Sequence, residues 1–277
     1  MRLSCLPVSY FGRIIGGEMS VGQWAREAAE IGLDAVDLSI LFVGSREPAY
    51  LERMRGDVEA AGLRVAMVTT YPDFTHPDPD QRMRQASQLR ADIAVAAALG
   101  AELVRVTAGQ AHPETGREEG IAWAVDGLIR SQAVAKQHGV QLVYENHSKP
   151  GVWDYVDFSH PTDVFLSIVE GTSGTALGVN FDTANPLAYG DEPVPLLKQV
   201  LDRVISVHAA DTRTRGALEP VVLGTGLVPF SEVFAILKTV GFDGWICIEE
   251  ASRTGRAGVE AAVNFVRRAW ADAGALA

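Results

Sequence analysis

Short apolar runs alternate along the chain with longer stretches in which Ala, Leu and Val recur at helical spacing. Short apolar runs rich in β-branched residues are typical of strands, and apolar positions at i, i+3 and i+4 are typical of amphipathic helices. A glycine stands at several changes from helix to strand, as at Gly32, Gly62 and Gly139. Glycine suits the left-handed residue that ends a helix. The pattern therefore predicts repeated βα units.

The pattern predicts eight strands and eight helices. The predicted strands are 2–8, 33–40, 63–70, 101–108, 140–146, 176–182, 203–210 and 244–250. The predicted helices are 24–31, 49–61, 81–99, 121–138, 162–169, 194–199, 230–240 and 259–273. Tandem βα units favour a closed α/β fold, the (βα)8 TIM barrel. A doubly wound open sheet is the alternative, and it is weakened because no Gly-x-Gly-x-x-Gly turn follows the first strand.

Composition and charge restrict the classes of partner. The chain is 47% hydrophobic and 21% charged, and no linker or low-complexity tract interrupts it, so residues 1–277 are expected to form a single barrel domain. A net charge of −11 without a Lys/Arg-rich run argues against nucleic acid and membrane partners. The N-terminal apolar segment is too short for a secretory signal, which predicts a cytoplasmic protein.

Four polar residues directly follow apolar runs in the last four predicted βα strands. Glu145 ends LVYE, Asp182 ends VNFD, His208 ends ISVH and Glu249 ends ICIE. In a barrel these strand ends converge on one mouth. Three carboxylates would repel one another unless a cation lay among them, so the pattern predicts one divalent metal ion. Oxygen-rich ligation favours Mn²⁺, with Mg²⁺ or Co²⁺ next and Zn²⁺ after them.

These motifs carry a resemblance to a known superfamily. The segments YENH (144–147), FDTAN (181–185), VHAAD (207–211) and 223–250 resemble the sugar phosphate isomerase/epimerase superfamily of xylose isomerase-like TIM barrels, and the resemblance covers nearly the whole chain. It implies that Glu145, Asp182, His208 and Glu249 bind the metal ion. It also implies that Glu145 and Glu249 are a catalytic acid/base pair.

The implied chemistry is proton transfer next to a carbonyl group. A metal ion that chelates the carbonyl and the adjacent hydroxyl stabilises the enediolate formed when the neighbouring carbon loses its proton. One glutamate removes the proton and the other returns it. Return to the opposite face of the same carbon gives epimerisation, and return to the adjacent carbon gives isomerisation.

Several neighbouring residues are candidates for contact with the substrate. The predicted substrate-binding residues are His147, Lys149, Trp153, Asn185 and Arg213. Trp153 could stack on a sugar face or pack beneath its loop, and Arg213 could bind an anionic group or remain solvated. Asn185 stands where some members of the superfamily carry a histidine. Asp211 is expected to support the His208 ring, because ligating imidazoles commonly donate their other N–H to an acceptor.

The leading functional hypothesis is a metal-dependent sugar isomerase or epimerase, with a small-molecule sugar or sugar-derived substrate. The alternative is a metal-dependent lyase or dehydratase of a keto-sugar or cyclitol. A phosphodiesterase similar to endonuclease IV is less favoured, because the chain has six histidines and net negative charge. A non-catalytic sugar-binding subunit would not need two opposed carboxylates. The sequence leaves a homo-oligomer open.

Overall fold

The computed structural model describes residues 1–149 and 151–274. Pro150 and the last positions of the predicted domain, 275–277, lie outside the described residues. The described strands are β1 (Arg2–Leu6), β2 (Val36–Ser39), β3 (Val65–Thr69), β4 (Leu103–Val106), β5 (Gln141–Glu145), β6 (Gly178–Asp182), β7 (Val204–Ala209) and β8 (Trp245–Glu249).

The helices connect successive strands. They are α1 (Phe11–Ile15), α2 (Val21–Ile31), α3 (Pro48–Ala60), α4 (Pro79–Ala98), α5 (Arg117–His138), α6 (Thr162–Gly171), α7 (Asn185–Tyr189), α8 (Pro193–Val200), α9 (Phe230–Thr239) and α10 (Arg256–Asp272). Three short 3₁₀ helices cover Val8–Tyr10, Ile40–Phe42 and Leu201–Arg203. Among the described residues, no helix is long and apolar enough to cross a membrane.

All eight predicted strands and all eight predicted helices are present, with their ends shifted by a few residues. The helices α1 and α7 were not predicted. Each has only five residues, which is too short to show a helical repeat. Val8 was predicted as the last residue of the first strand, but it begins a 3₁₀ helix instead.

The eight strands form one parallel sheet that curls into a nearly closed barrel, which confirms the predicted fold. Hydrogen-bonded neighbours follow the order β1-β8-β7-β6-β5-β4-β3-β2. At the remaining seam, the backbone N–H groups of Asp34 and Ala35 both donate to the carbonyl of Leu3, at 2.9 and 3.2 Å. The Leu3 N–H in turn donates to the Asp34 carboxylate at 2.8 Å. The loop before β2 thus bridges β2 and β1.

Successive strand residues face opposite sides of the barrel wall, and this alternation divides the apolar core in two. A large cluster packs the outer face of the strands against the helices, with Cys5 among its members. A smaller cluster fills the barrel interior and includes Leu103, Val143 and Cys247. Cys5 and Cys247 therefore lie on adjacent strands but on opposite faces, and both are free thiols.

Candidate metal and substrate site

The predicted ligand residues lie together at the carboxyl ends of β5 to β8. Residues two positions apart in a strand face the same side of the sheet. Glu145 and Glu249 come two positions after the interior residues Val143 and Cys247, so their side chains also face the interior of the barrel. His208 Nδ1 lies 2.9 Å from Glu145 Oε1 and 3.1 Å from Glu249 Oε2. One ligand atom from each of Glu145, Asp182, His208 and Glu249 lies within 4.8 Å of the others.

The backbone at the end of β6 fixes the position of Asp182. Its Oδ1 accepts hydrogen bonds from the backbone N–H groups of Ala184 at 2.8 Å and Asn185 at 2.7 Å. The Asn146 side chain donates to the Asp182 carbonyl at 2.9 Å and accepts from the Asp182 N–H at 2.8 Å. This paired contact ties the end of β5 to the end of β6, so the second Asp182 oxygen is held toward the cluster.

Arg105 is a buried member of the site that the sequence analysis missed. Its Nε lies 2.8 Å from Glu145 Oε2, and both side chains are almost completely buried. Arg105 Nη1 donates to the Thr70 carbonyl at 2.9 Å, and the guanidinium lies over the Tyr71 ring. The signal that could have found it is a lone charged residue in the apolar strand LVRV, two positions after the interior Leu103.

The charges in the cluster shift one another's pKa values. Burial alone would raise the pKa of Glu145, but His208 and Arg105 lower it to about 2. Burial would lower the pKa of His208, whereas Glu145 and Glu249 raise it well above its usual range. Burial, together with Glu249 and Glu145, raises the pKa of Asp182. Without a cation, the His208 imidazolium is therefore the positive charge among three acidic side chains.

The donor set fits a divalent cation. Three carboxylates and one imidazole each bring a ligand atom within 4.8 Å of the others, and a cation among them would offset the repulsion from Glu249 and Glu145 that adds to burial in raising the pKa of Asp182. His208 turns Nδ1 toward the carboxylates, and its buried Nε2 has no hydrogen-bond partner among the described residues.

A second residue missed by the sequence analysis, the acidic Asp37, lies beside the cluster. Asp37 on β2 is completely buried, with a carboxylate oxygen within 4.8 Å of a His208 ring nitrogen and the Cys247 thiol. Burial raises the pKa of Asp37 to about 6. Its signal in the sequence is an acidic residue inside the apolar strand VDLS.

The cluster opens into a cavity of about 400 Å³ at the mouth of the barrel. Its polar lining includes Arg105, His147, Lys149, Asp182, Asn185 and Glu249. The structure thus brings three predicted substrate-binding residues, His147, Lys149 and Asn185, to the same cavity as the cluster. Lys149 Nζ also donates to the Asp154 carbonyl at 3.0 Å, a contact within the loop after β5.

Two predicted substrate-binding residues lie outside the cavity. Trp153 is buried beneath the loop after β5, and its ring packs edge-on against His147 at 6.3 Å. Arg213 is largely exposed and pairs with Glu219 Oε2 at 2.8 Å on a neighbouring surface groove. In this structure Trp153 packs beneath its loop. Arg213 forms a surface ion pair because the chain turns outward after Thr212 and pairs back at Pro220.

Asp211 also has a different role from the one predicted. Its Oδ2 accepts from the N–H groups of Gly224 and Gly226, each at 2.9 Å, and its Oδ1 accepts from Thr212 at 2.9 Å and Val228 at 3.2 Å. The carboxylate thus organises the loop after β7 instead of the His208 ring. A side chain at Gly226 would place Cβ 2.3 Å from Asp211 Oδ1, so the glycine permits this close approach.

His147 has a buried acidic neighbour. Its Nδ1 lies 3.7 Å from Asp157 Oδ2, while Asp157 Oδ1 accepts from the Ser159 N–H and hydroxyl at 2.8 and 2.7 Å. Burial lowers the pKa of His147 to about 4. Burial raises the pKa of Asp157 to about 8. His147 is therefore a neutral imidazole at the cavity wall, able to donate one hydrogen bond and accept another.

Comparison with known proteins identifies the family. Residues 25–269 match the family described as xylose isomerase-like TIM barrel. The chain belongs to this family. The match covers most of the barrel, including all four strand ends that carry the acidic cluster. The family resemblance predicted from the sequence is thus confirmed.

Curated relatives within this xylose isomerase-like family share limited identity with the chain. Inosose dehydratase of Geobacillus thermodenitrificans (strain NG80-2) is 23% identical over 264 residues, which cover 85% of this chain and 83% of that protein. Inosose dehydratase of Bacillus thuringiensis (strain Al Hakam) is 29% identical over 140 residues, or 45% of each protein. The match to the Bacillus relative therefore spans just under half of its length.

Solved structures of similar barrels superpose over almost the whole chain. D-psicose 3-epimerase from Clostridium cellulolyticum H10 gives a TM-score of 0.80 at 14% identity, covering 98% of this chain and 99% of that one. A D-tagatose 3-epimerase-like protein gives a TM-score of 0.79 at 20% identity, and the match covers 99% of this chain and 98% of that one. The probable 3-DHS dehydratase from Bacillus anthracis gives 0.74 at 15% identity, covering 96% and 99%. At these identities the likeness concerns the xylose isomerase-like fold.

Proposed function

We propose that the chain is a divalent-metal-dependent sugar isomerase or epimerase that moves a proton next to a carbonyl group. The observation that carries this proposal is that the carboxylates of Glu145 and Glu249 lie 2.9 and 3.1 Å from the same nitrogen, His208 Nδ1, where Glu249 lines an open cavity. Two carboxylates at one substrate site can take a proton from carbon and return it. Binding alone would not need both.

Glu145, Asp182, His208 and Glu249 would hold the ion, and Mn²⁺ is the first candidate because the donor set is rich in oxygen. When bound, a divalent cation supplies Lewis-acid polarisation of the substrate carbonyl and its neighbouring hydroxyl. The residues around it then orient the sugar. Neutral His147, the Lys149 ammonium and the Asn185 amide line the cavity and offer hydrogen bonds to hydroxyl groups.

The two glutamates differ in their surroundings. Arg105 and His208 enclose Glu145 and lower its pKa to about 2, so that it stays ionised at neutral pH. The Glu249 side chain is 28% exposed and faces the cavity. In the proposed reaction, one carboxylate accepts the proton from the substrate carbon and the other returns a proton. Return of the proton to the opposite face of the same carbon gives epimerisation, and its return to the adjacent carbon gives isomerisation.

A dehydratase is the second candidate, and the names of the curated relatives favour it. Both relatives described above are inosose dehydratases. Such a reaction would share the removal of a proton next to a carbonyl and would then expel a hydroxyl group as water. The same glutamates would act as base and acid, so the product distinguishes the two candidates.

Deuterium exchange tests the proposal. The protein loaded with Mn²⁺ is incubated in D₂O with a panel of ketoses, aldoses and keto-cyclitols, and the products are analysed by NMR. We expect deuterium at one carbon next to the carbonyl, with the carbon skeleton and all oxygens retained. An unsaturated product that has lost water would assign the dehydratase, and absence of both outcomes across the panel would overturn the proposal.

Variants locate the activity. Glu145→Gln and Glu249→Gln should each lower the exchange rate by at least about a hundredfold, the usual contribution of a general acid or base. Glu232→Gln is the matched control, because Glu232 lies exposed on α9 and outside the cavity lining. Exchange that persists in both site variants at the wild-type rate would contradict the assignment of the acid/base pair.

A further inference from the structure

The cavity above the acidic cluster has two chemically different parts. Its floor is polar, with Arg105, Asp182 and Glu249. Its upper wall consists of Phe11, Ile15, Leu41, Val152 and Leu218 together with smaller apolar residues. Metal chelation and proton transfer explain the floor, but they do not require this wall.

The apolar wall is assembled from separate parts of the chain. Phe11 and Ile15 come from α1, Leu41 from the 3₁₀ helix after β2, Val152 from the loop after β5, and Leu218 from the loop after β7. Four of these side chains are unusually exposed for their type: Ile15 53%, Leu41 37%, Val152 57% and Leu218 41%. Contiguous exposed apolar surface around a cavity is typical of a binding site.

A free sugar would match this wall poorly. A sugar bears a hydroxyl on nearly every carbon, and a hydroxyl buried without a hydrogen bond costs about 1–3 kcal/mol. Aliphatic side chains offer no such bond. The wall would instead gain from contact with an apolar group, since burial of apolar surface stabilises a complex in proportion to its area.

We propose that the substrate carries an apolar substituent, either an aromatic or an alkyl group, attached to a sugar-like hydroxyketone. The hydroxyketone lies on the polar floor, and the substituent lies between Phe11, Ile15, Leu41, Val152 and Leu218. This inference rests on the proposed function for the position of the hydroxyketone. The apolar wall and the polar floor line one concave cavity, which favours a single small ligand over a partner chain. The cavity volume of about 400 Å³ suits a ligand larger than a sugar alone.

Binding of matched probes tests the inference. Phenyl and methyl glucosides, each with and without oxidation to the ketone at C3, are titrated calorimetrically into the protein loaded with Mn²⁺. We expect the phenyl member of each pair to bind at least about tenfold more tightly, because the additional carbons bury apolar area. Equal affinity within both pairs would overturn the inference.

The unoxidised pair separates this inference from the proposed function. If neither ketone exchanges deuterium but the phenyl probes still bind more tightly, the proton-transfer proposal fails and the apolar site stands. If both ketones exchange deuterium and bind equally, the proton-transfer proposal stands and the apolar site fails.

Substitutions in the wall complete the test. A double variant with Val152→Ser and Leu218→Ser should reduce the phenyl preference to less than about threefold. Val240→Ser is the matched control, since Val240 is 54% exposed at the end of α9 and lies outside the cavity lining. A preference that the double variant retains would overturn the inference. If that variant also dissociates an oligomer in sedimentation, the wall is instead a contact between two copies of the chain.

Discussion

The guanidinium of Arg105 and the carboxylate of Glu145 form a buried ion pair at 2.8 Å, directly beside the His208 ring. Each charge depends on the other, because neither reaches water. Burial would lower the pKa of Arg105, but Glu145, together with Tyr71 and Glu249, raises it above its usual value. Arg105 contacts Glu145 Oε2, and Glu145 Oε1 faces His208 in the acidic cluster.

Loss of Arg105 should therefore destabilise the protein. Arg105→Met should lower the free energy of unfolding in urea by about 3–5 kcal/mol, because removal of one partner leaves a buried charge uncompensated. Arg105→Lys should lower the free energy of unfolding by less than Arg105→Met does, because lysine keeps the positive charge. Arg213→Met is the control, since its pair with Glu219 is exposed and should change stability by about 1 kcal/mol or less. Equal losses in Arg105→Met and the control would contradict the interpretation of Arg105.

A divalent cation should stabilise the folded protein. At a free Mn²⁺ concentration about a hundredfold above Kd, binding adds about 2.7 kcal/mol, which appears as a rise in Tm that EDTA reverses. Asp182→Asn should abolish this rise. It should also stabilise the metal-free protein, since repulsion from Glu249 and Glu145 contributes to the raised pKa of Asp182. Asp163→Asn is the control, because Asp163 is exposed on α6, and this variant should show the same Mn²⁺-dependent rise in Tm as the wild type.

Binding of the cation should release protons. The pKa of His208 is raised well above its usual range in the metal-free protein, so His208 carries a proton at neutral pH that a cation on Nδ1 must displace. Affinity for Mn²⁺ should therefore fall as pH is lowered. Calorimetric titrations at pH 7 in buffers of different ionisation enthalpy measure the release, which should be at least about one proton per ion. A binding enthalpy that is independent of the buffer would contradict this prediction.

Asp157 should make the protein less stable as pH rises. Burial raises its pKa from 3.8 to about 8, so between these values the folded state holds a proton that the unfolded state has lost. Its contribution is thus favourable below about pH 4 and is lost progressively up to about pH 8. Asp157→Asn keeps the Oδ1 contacts with Ser159 and removes the titration.

Urea unfolding at several pH values measures this effect. The stability of Asp157→Asn relative to the wild type should increase with pH across that window, by at most about 1.4 kcal/mol per pH unit. Asp154→Asn is a neighbouring control in the exposed part of the same loop. Parallel pH profiles of the wild type and Asp157→Asn would show that Asp157 is already ionised in the folded protein.

The spacing of apolar residues predicted the barrel, and the polar residues at the ends of four predicted strands predicted the acidic cluster at its mouth. Alternation within each strand places Glu145 and Glu249 inside the barrel, and the βα order places their strands side by side. Arg105 and Asp37 lie inside their strands and not at the strand ends, where the sequence analysis looked for polar residues, so neither was singled out. The contacts of Trp153 and Asp211 differ from those expected because loop conformation, which has no periodic signal, decides where those side chains point.

Local periodicity and the parallel βα order predict the eight strands, the eight longer helices and the four side chains that meet at the mouth. Which side chains form ion pairs and share a cavity depends instead on the complete fold. Arg105 meets Glu145 across the register of β4 and β5, and four separate segments assemble the apolar wall. Such contacts join residues far apart in the chain, and their energies depend on burial, which only the complete fold fixes.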